Sequence, residues 1–422
     1  MLKNQFQLGK EARLTAIVDD RFKFECLSIN FIFPLNGEEN ALSYLLPSVL
    51  VRETQKYGKL QIMNSILDEA YDSEIGTDTV KLSNYRVIRF AASWLKSKLT
   101  FDGSDPFDIT LSVLSEIILR PVKENGLLSK RYTELEKQAL LDFALSENNN
   151  KKSYAYHKCL DMILENDPYS HPKYGSEEEI TGIDNKILTD FYDRVLSRAK
   201  IEIYYHGSSD IDHINNSLTE ALGEILIYDR PKLPKTTIPS KPKKCPEAVF
   251  ENGDYSQTVY AMGLSIPNEK DEKYPFIMLG ELLYYSPVSR LFMNVREELG
   301  ICYYCDYSGL RSRQAGIITA GIELKRLDEA KEAIWGQIDD LANGNISDEE
   351  MESAKNVNID NYLALFDNPK DMESLVLLSE LTGDSFDADK HINGINSVSK
   401  EDVSEIAKRI KIIGEFILKE NK

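Results

Sequence analysis

The order of hydrophobic and polar positions along the chain predicts a mixture of helices and strands. Two segments, Phe107–Pro121 and Leu327–Leu341, carry apolar residues three and four positions apart, which is the pattern of an amphipathic helix. Two others, Cys26–Pro34 and Thr258–Pro267, are predicted strands, and each is followed by an acid-rich turn and a further helix. This arrangement favours an α+β fold.

The elements of the first half recur in the same order in the second half. Near the end of each half, an Ile-x-Gly-Ile block is followed by an Asp, a helical stretch and an apolar run. The two blocks begin at Ile180 and Ile392, about 212 residues apart, and the two amphipathic helices keep a similar separation. Any two α+β domains would align loosely in this way, but the shared order favours a tandem duplication with units of roughly 200 residues.

A segment rich in proline and lysine separates the two units. Five of the 15 prolines fall between Pro231 and Pro246 together with five lysines, a composition typical of extended, solvated backbone. We therefore divide the chain into an N-terminal domain at residues 1–228, a linker at 229–246 and a C-terminal domain at 247–422.

Composition and charge exclude several classes of function. The 69 acidic and 50 basic residues give a formal net charge of -19, so most of the surface would repel a nucleic acid. The five cysteines are few and odd in number, the chain opens without a charged and then apolar leader, and no apolar run approaches the ~18 residues of a membrane span. We expect a cytoplasmic protein with reduced thiols.

The predicted helix at residues 41–52 combines an apolar stripe with a second, polar row. The chain has five histidines, no two of them three or four residues apart, which excludes a zinc site built from a paired-His helix motif. Beside the apolar stripe, however, Tyr44, Pro47 and Ser48 have the i, i+3, i+4 spacing at which a helix can present three ligands to one ion. Tyr and Ser are poor zinc ligands, and Pro47 lacks the backbone N–H that would bond to Ser43, which would bend this turn.

This helix resembles a degenerate zinc-binding helix of the insulinase/pitrilysin family of peptidases. A strand, a short polar turn, this helix, Thr54 and a second helix follow one another as at the start of that family, whose active members carry the zinc motif H-x-x-E-H. Counted back from Thr54, the resemblance places the motif on Tyr44, Pro47 and Ser48, and a shift of two residues places it on Leu42, Leu45 and Leu46. Neither register contains a metal ligand.

The family's third zinc ligand is a Glu on a later helix. In this chain the resemblance implies that this helix is Thr133–Glu147, which retains the carboxylates Glu134, Glu136, Asp142 and Glu147. Carboxylates without imidazoles do not make a zinc site of this kind. We therefore expect no cofactor in this chain, and expect zinc in a partner subunit.

Two further segments carry the resemblance. Asp167–Pro172 is similar to the family's His-Pro-Tyr-Gly segment, so His171 is interpreted as a loop residue and not as a ligand. The segment from Ser289 resembles the family's C-terminal motif, in which an Arg and a Tyr seven residues apart contact the substrate, here Arg296 and Tyr303 with Gly300 at the turn. A guanidinium and a phenol can both donate to a peptide carbonyl and to the oxyanion formed on attack. The alternative is that Arg296 pairs with Glu297 or with a neighbouring helix, and that Tyr303 is an aromatic residue of a strand.

A C-x-x-C motif lies directly beside this pair. The spacing of Cys302 and Cys305 is typical of redox or metal sites, but the motif lies in an aromatic, strand-like run and has no second cysteine pair. We interpret both cysteines as packing residues.

The resemblance covers nearly the whole chain and is nearest to the inactive subunit of bacterial paired members of roughly 50 kDa. It implies two homologous ferredoxin-like-type α/β sandwich domains, each an antiparallel sheet covered by helices, that form a clam-like shell. It also implies a non-catalytic subunit that binds an unfolded peptide substrate and pairs with a zinc-bearing subunit. The alternative from another functional class is a stand-alone peptide-binding or scaffold protein without enzymatic activity.

Overall fold

A computed structural model describes residues 2–234, 242–245, 248–253, 257–268, 272–384 and 386–420. The predicted linker at 229–246 therefore falls partly outside the described residues, since 235–241 and 246 are not among them. No helix in the described ranges is both long enough and apolar enough to cross a membrane.

Strands and helices are interspersed along the described residues. The strands are β1 (Leu2–Gly9), β2 (Ala12–Val18), β3 (Phe24–Pro34), β4 (Glu53–Thr54), β5 (Gly58–Lys59), β6 (Glu74–Leu82), β7 (Tyr85–Leu95), β8 (Lys123–Glu124), β9 (Leu127–Leu128), β10 (Lys200–Gly207), β11 (Val249–Gly253), β12 (Thr258–Ser265), β13 (Cys302–Leu310), β14 (Ala315–Ile322) and β15 (Lys411–Glu420).

The α-helices are α1 (Asn40–Leu50), α2 (Leu60–Glu69), α3 (Pro106–Leu119), α4 (Lys130–Asn149), α5 (Lys151–Ile163), α6 (Glu177–Thr181), α7 (Asn185–Arg198), α8 (Ile211–Leu226), α9 (Lys273–Gly280), α10 (Leu327–Ala342), α11 (Asp348–Ala364), α12 (Pro369–Thr382), α13 (Ala388–Asn396) and α14 (Lys400–Ala407). Two π-helical segments, Glu281–Tyr285 and Leu291–Glu298, lie between α9 and β13.

The two main sheets have the same topology. The first has the strand order β1-β2-β10-β3-β7-β6 and the second has the order β11-β15-β12-β14-β13. In each sheet the last strand of its half pairs in parallel with one neighbour, β10 with β2 and β15 with β11, and all other pairs are antiparallel. Apart from the additional β1, the five strands correspond one to one. The predicted pair of related α+β units is therefore confirmed.

The amphipathic helices form where their apolar stripes predicted them. The first begins at Pro106 because the Asp105 side chain accepts a hydrogen bond from the Phe107 N–H, and the proline has no N–H to leave unsatisfied. The helix after the second begins with a capping box between Ser347 and Glu350. One face of each sheet is covered by such helices and holds a large apolar core.

Contacts between Cα atoms divide the chain into two compact units, and each unit includes one helix from the opposite half. The first unit consists of Met1–Ala144, Pro172–Thr236 and Glu373–Thr382, and the second of Leu145–His171, Thr237–Met372 and Gly383–Lys422. The domain boundaries expected from the sequence stay a prediction. The two compact units differ from them in that Leu145–His171 belongs to the second unit and Glu373–Thr382 to the first.

The exchanged helices are α5 and α12. In the second unit, α5 packs its apolar residues Cys159, Leu160 and Ile163 against β12 and β15. In the first unit, Leu377 and Leu381 of α12 pack with apolar residues of β3 and β7. In the first half α5 is the helix after α4, and in the second half α12 is the helix after α11. The exchanged helix therefore occupies the equivalent position in both repeats.

Polar contacts also hold α12 on the first sheet. The buried Glu373 carboxylate accepts hydrogen bonds from Ser28 and Asn30 and lies 3.2 Å from Arg89 Nε. One end of the helix is held by Glu380, whose carboxylate pairs with Lys3 at 3.0 Å and with Arg13 at 2.7 Å. A carboxylate as deeply buried as Glu373 requires such partners to stay charged.

Candidate functional site

The predicted metal-site residues all lie on α1. Tyr44 and Ser48 are half-buried on the same face, and Pro47 is buried in the interior of the helix. The helix continues through Pro47, since the Val51 N–H still bonds to the Pro47 carbonyl. In the shifted register, Leu42, Leu45 and Leu46 belong to the apolar core of the first unit and face away from solvent.

Pro47 leaves the Ser43 carbonyl without its helical donor, and a neighbouring strand supplies another. The Thr79 hydroxyl of β6 donates a hydrogen bond of 2.8 Å to this carbonyl, and both residues are buried. An unpaired carbonyl at this depth would cost free energy comparable to a lost hydrogen bond. The contact explains how a proline is accepted at the position where the family's motif has a Glu.

Tyr44 is packed among aromatic and cationic groups. Its ring makes an edge contact with Tyr174 at a centroid distance of 4.8 Å, and Lys173 lies 5.9 Å from its centroid. Arg86 is buried near the N-terminal end of α1, where it donates to the Asn40 side chain, and burial lowers the pKa of its guanidinium to about 10. The surroundings of Tyr44 are therefore cationic, which disfavours a divalent cation.

Ser48 and the later helix are also committed to other contacts. The Ser48 hydroxyl donates to the Tyr44 carbonyl of its own helix at 3.3 Å. Of the four carboxylates on the predicted third-ligand helix, which is part of α4, Glu136 is the one that is buried, and Arg52 Nη2 lies 2.5 Å from its Oε1. Arg52 lies in the turn that follows α1, two residues beyond the last residue of the helix. An arginine is thus the counter-charge of this carboxylate.

These residues do not fit a zinc ion. Tyr44 offers a packed phenol, Pro47 has no side-chain atom that can bind a metal, and the Ser48 hydroxyl is hydrogen-bonded within its own helix. Zinc sites in proteins use Cys, His and carboxylate ligands. Within the described ranges, no three His, Cys, Asp or Glu side chains are grouped so that they would hold a metal ion. Arg52 was not among the predicted site residues, because it lies beyond the end of α1 and its partner Glu136 is 84 positions later in the sequence.

His171 lies outside the helices, as predicted. It is exposed in the segment between α5 and α6, two residues before Lys173. The adjacent Pro172 carbonyl accepts a hydrogen bond of 2.7 Å from the Asn40 side chain, so this loop is attached to the start of α1.

The predicted substrate residues Arg296 and Tyr303 are both exposed in the second unit. The Arg296 side chain is 43% exposed near the end of the second π-helical segment, 3.4 Å from Glu297 and over the ring of Phe292. Tyr303 is 61% exposed on β13. Gly300, with a φ of 55°, turns the chain between them in a conformation that favours glycine. The pairing with Glu297 matches the alternative interpretation, but this exposed pair contributes little to stability and leaves Arg296 available.

A β-bulge determines the direction of Tyr303. Cys302 pairs with Ile322 and Tyr304 pairs with Gly321, so Tyr303 has no partner residue in β14. The Tyr304 ring lies over Gly321, where an added Cβ would come within 2.4 Å of it, so glycine is required opposite. The extra residue shifts the alternation of side chains in β13.

Several exposed apolar side chains lie close to this pair along the chain. They are Tyr285, Val288, Met293 and Leu299. Exposed apolar side chains concentrated in one segment are typical of surfaces that bind other chains.

Comparisons with known proteins agree with a peptidase-like fold that lacks zinc ligands at the metal positions. Residues 182–358 match the family model described as the Peptidase M16 inactive domain. The chain is 23% identical over 416 residues to the probable inactive metalloprotease YmfF of Bacillus subtilis, with 97% of each chain covered. It is 22% identical over 335 residues to an uncharacterized zinc protease of Rickettsia felis, covering 75% of this chain and 73% of that protein.

Solved structures share the fold over the full length. A conserved protein from Enterococcus faecalis V583 superimposes with a TM-score of 0.90 at 21% identity, covering 99% of both chains. A peptidase M16 inactive domain from Pseudomonas fluorescens superimposes with a TM-score of 0.79 at 14% identity, covering 100% of this chain and 98% of that one.

Proposed function

We propose that this chain, an inactive peptidase-like protein of the M16 or insulinase/pitrilysin type, is the non-catalytic subunit of a zinc-dependent peptidase. In this proposal it binds an unfolded or precursor peptide in the bacterial cytoplasm and pairs with a zinc-bearing subunit of the same type. The zinc belongs to the partner, and this chain contributes Arg296 and Tyr303 to the shared site. Both residues would orient the substrate and donate to the oxyanion formed on attack.

The proposal rests on one contrast within the chain. The residues at the metal positions are packed or hydrogen-bonded within the fold, and the buried carboxylate of the later helix is ion-paired, whereas Arg296 and Tyr303 are exposed and the Glu297 that pairs with Arg296 is exposed as well. The bulge and the left-handed Gly300 direct Tyr303 outward. A folded protein gains little stability from such an exposed Arg and Tyr, so a role in binding accounts for them better than a role in packing.

The first experiment separates the chain from its proposed partner. The chain purified alone is expected to bind no zinc stoichiometrically, to gain no thermal stability from added zinc and to leave unstructured peptides intact. The complex purified from its native source is expected to cleave such peptides in a chelator-sensitive way. Stoichiometric zinc in the isolated chain, together with chelator-sensitive cleavage, would contradict the proposal.

The second experiment tests the two side chains within that complex. Arg296→Ala and Tyr303→Phe are each expected to lower turnover by about tenfold or more while assembly stays intact, because each removes a donor to the transition state. Arg131→Ala and Tyr228→Phe are matched controls, since both alter exposed residues of the first unit. An unchanged rate in both test variants would remove this pair from the mechanism.

The exposed apolar side chains favour one alternative. Tyr285, Val288, Met293 and Leu299 would serve equally well in a stand-alone peptide-binding protein. In that case the chain purified from its native source would bring down no zinc-bearing subunit, and the isolated chain would bind unstructured peptides with undiminished affinity.

A further inference from the structure

The two thiols of the C-x-x-C motif lie on the same face of β13. In a regular strand, residues three apart point to opposite faces, so Cys302 and Cys305 would be separated by the sheet. The bulge at Tyr303 shifts the alternation by one residue, and both cysteines therefore belong to the same apolar core of the second unit. The sequence predicted packing residues because the motif lies in an aromatic, strand-like run without a second cysteine pair, and the bulge is not visible in that pattern.

The two thiols also influence each other's ionisation. Hydrogen bonding with Cys305 lowers the pKa of the Cys302 thiol, although burial opposes this, and the same interaction raises the pKa of Cys305 well above its ordinary value. The guanidinium groups of Arg296 and Arg326 favour the Cys302 thiolate further. Arg326 is fixed near the start of β13, since it donates a hydrogen bond of 2.7 Å to the Gly300 carbonyl.

The remaining cysteines have different surroundings. Cys159 is buried on α5, and burial raises the pKa of its thiol. Cys26 and Cys245 are half-buried, and the Cys245 thiol donates to the Met162 carbonyl at 3.1 Å. Cys302 is 8% exposed and Cys305 is 3% exposed, so Cys302 is the more accessible of the two. A thiolate favoured by nearby cations, with a second thiol in reach, is the arrangement typical of redox-active cysteines.

We propose that Cys302 and Cys305 are a redox-active pair, which hydroperoxides oxidise to an intramolecular disulfide across the bulge at Tyr303. The Cys302 thiolate attacks one oxygen of hydrogen peroxide, the O–O bond breaks, and a sulfenic acid forms as hydroxide leaves. The Cys305 sulfur then attacks the sulfenic sulfur, the S–S bond forms, and the S–O bond breaks. Two thiols and one hydrogen peroxide thereby give one disulfide and two waters.

The bulge also shortens the span between the two cysteines. Cys302 pairs with Ile322 and Cys305 pairs with Ala320, and these two partners are only two strand steps apart in β14, or about 7 Å. A disulfide needs Cα atoms within about 7 Å, so the bulged edge strand brings the pair to the range of ring closure. This inference is independent of the proposed function, because it concerns thiol chemistry within one unit.

The test uses the full-length protein titrated with hydrogen peroxide, followed by thiol alkylation, trypsin digestion and mass spectrometry. One tryptic peptide, Glu297–Arg311, contains both cysteines and is expected to lose the mass of two hydrogen atoms and to resist alkylation. Half-oxidation is expected at peroxide concentrations about tenfold lower than those that modify Cys26 or Cys245, and dithiothreitol should reverse it.

Two variants distinguish the roles of the sulfur atoms. In Cys305→Ser, oxidation is expected to stop at a sulfenic acid on Cys302, which a cyclic 1,3-diketone traps. In Cys302→Ser, Cys305 is expected to remain a free thiol under the same conditions, and Cys159→Ser should behave as the wild type. Equal reactivity of Cys302 and Cys305 in the two variants would overturn the assignment.

The wild-type titration decides the question even if a variant fails to fold. Oxidation of Cys26 and Cys245 while the Glu297–Arg311 peptide stays fully alkylated would also overturn the proposal.

Discussion

The Thr79 hydroxyl donates a hydrogen bond of 2.8 Å to the Ser43 carbonyl, which is the acceptor that Pro47 leaves without a helical donor. A strand thus completes the hydrogen bonding of α1 at the turn that carries the degenerate metal positions. Thr79 and Pro47 are therefore energetically linked although they lie on different elements.

Thr79→Val is expected to destabilise the protein by about 1–3 kcal/mol, because a buried carbonyl is left unpaired. In a Pro47→Ala background the same substitution should cost about 1 kcal/mol less, since the alanine restores a backbone N–H that can bond to the Ser43 carbonyl. Urea unfolding of the four proteins in this double-mutant cycle measures the coupling. Thr77→Val, two residues away on β6, is the matched control and should show none.

The ion pair of Arg52 and Glu136 gives a second prediction. Arg52→Met is expected to lower the free energy of unfolding by about 2 kcal/mol, because the Glu136 carboxylate remains buried without its counter-charge. Glu136→Gln should restore part of this loss in the Arg52→Met background. Denaturant unfolding of the single and double variants tests the pair, with Glu134→Gln on the exposed side of α4 as the control. Strictly additive effects would show that the two side chains do not interact.

His391 gives a prediction about pH. It is buried, its ring stacks on Tyr362 at 3.7 Å, and its Nε2 lies 2.9 Å from Asn358 Oδ1. Burial and then the nearby Lys273 lower the pKa of His391 to about 4, below the ordinary value of 6.5. As the pH falls, His391 is therefore protonated in the unfolded chain before it is protonated in the folded protein. The contribution of neutral His391 to the free energy of unfolding is complete above pH 6.5. It is lost as the pH falls towards about 4, and the loss is about 3 kcal/mol.

Equilibrium unfolding across that pH range tests this expectation. His391→Phe keeps an aromatic ring on Tyr362 and should flatten the pH dependence, whereas His213→Phe, at an exposed position, should not. Glu281 acts in the opposite direction, because burial raises the pKa of its carboxyl and its protonation stabilises the folded state. Glu281→Gln should therefore steepen the loss of stability on acidification. An unchanged profile in His391→Phe would assign the dependence to other groups.

The docking of α12 gives a fourth prediction. Glu373→Ala is expected to destabilise the protein by about 3 kcal/mol, because Arg89 loses a buried partner and the helix loses its polar attachment to β3. Hydrogen exchange should increase in α12 more than in α10. Glu352→Ala, which alters an exposed carboxylate on α11, is the control. Equal exchange in both helices would contradict the assigned role of Glu373.

Much of the fold could be predicted from the sequence. The apolar stripes located the helices now seen as α3 and α10, and the repeated blocks predicted two related units, which the matching strand orders confirm. The predicted resemblance to insulinase/pitrilysin peptidases and to their inactive members is confirmed by the match to the M16 inactive domain. These features are local or repeated, so they leave a pattern in the order of residues.

The exchanged helices could not be predicted in the same way. The sequence places α12 in the second half, but Glu373 finds Ser28, Asn30 and Arg89 in the first unit. Such partners lie more than 280 residues away in sequence, and no spacing rule relates residues at that separation. Hydrophobic burial and charge pairing select them only when the chain has folded.

The sequence by itself determined that the row at Tyr44, Pro47 and Ser48 has no zinc ligands, because ligand chemistry is a property of residue type. Only the tertiary structure decided what these positions do instead. It pairs Thr79 with the carbonyl released by Pro47 and Arg52 with Glu136. It also turns Cys302 and Cys305 to one face, because a single unpaired residue, Tyr303, shifts the alternation of an edge strand.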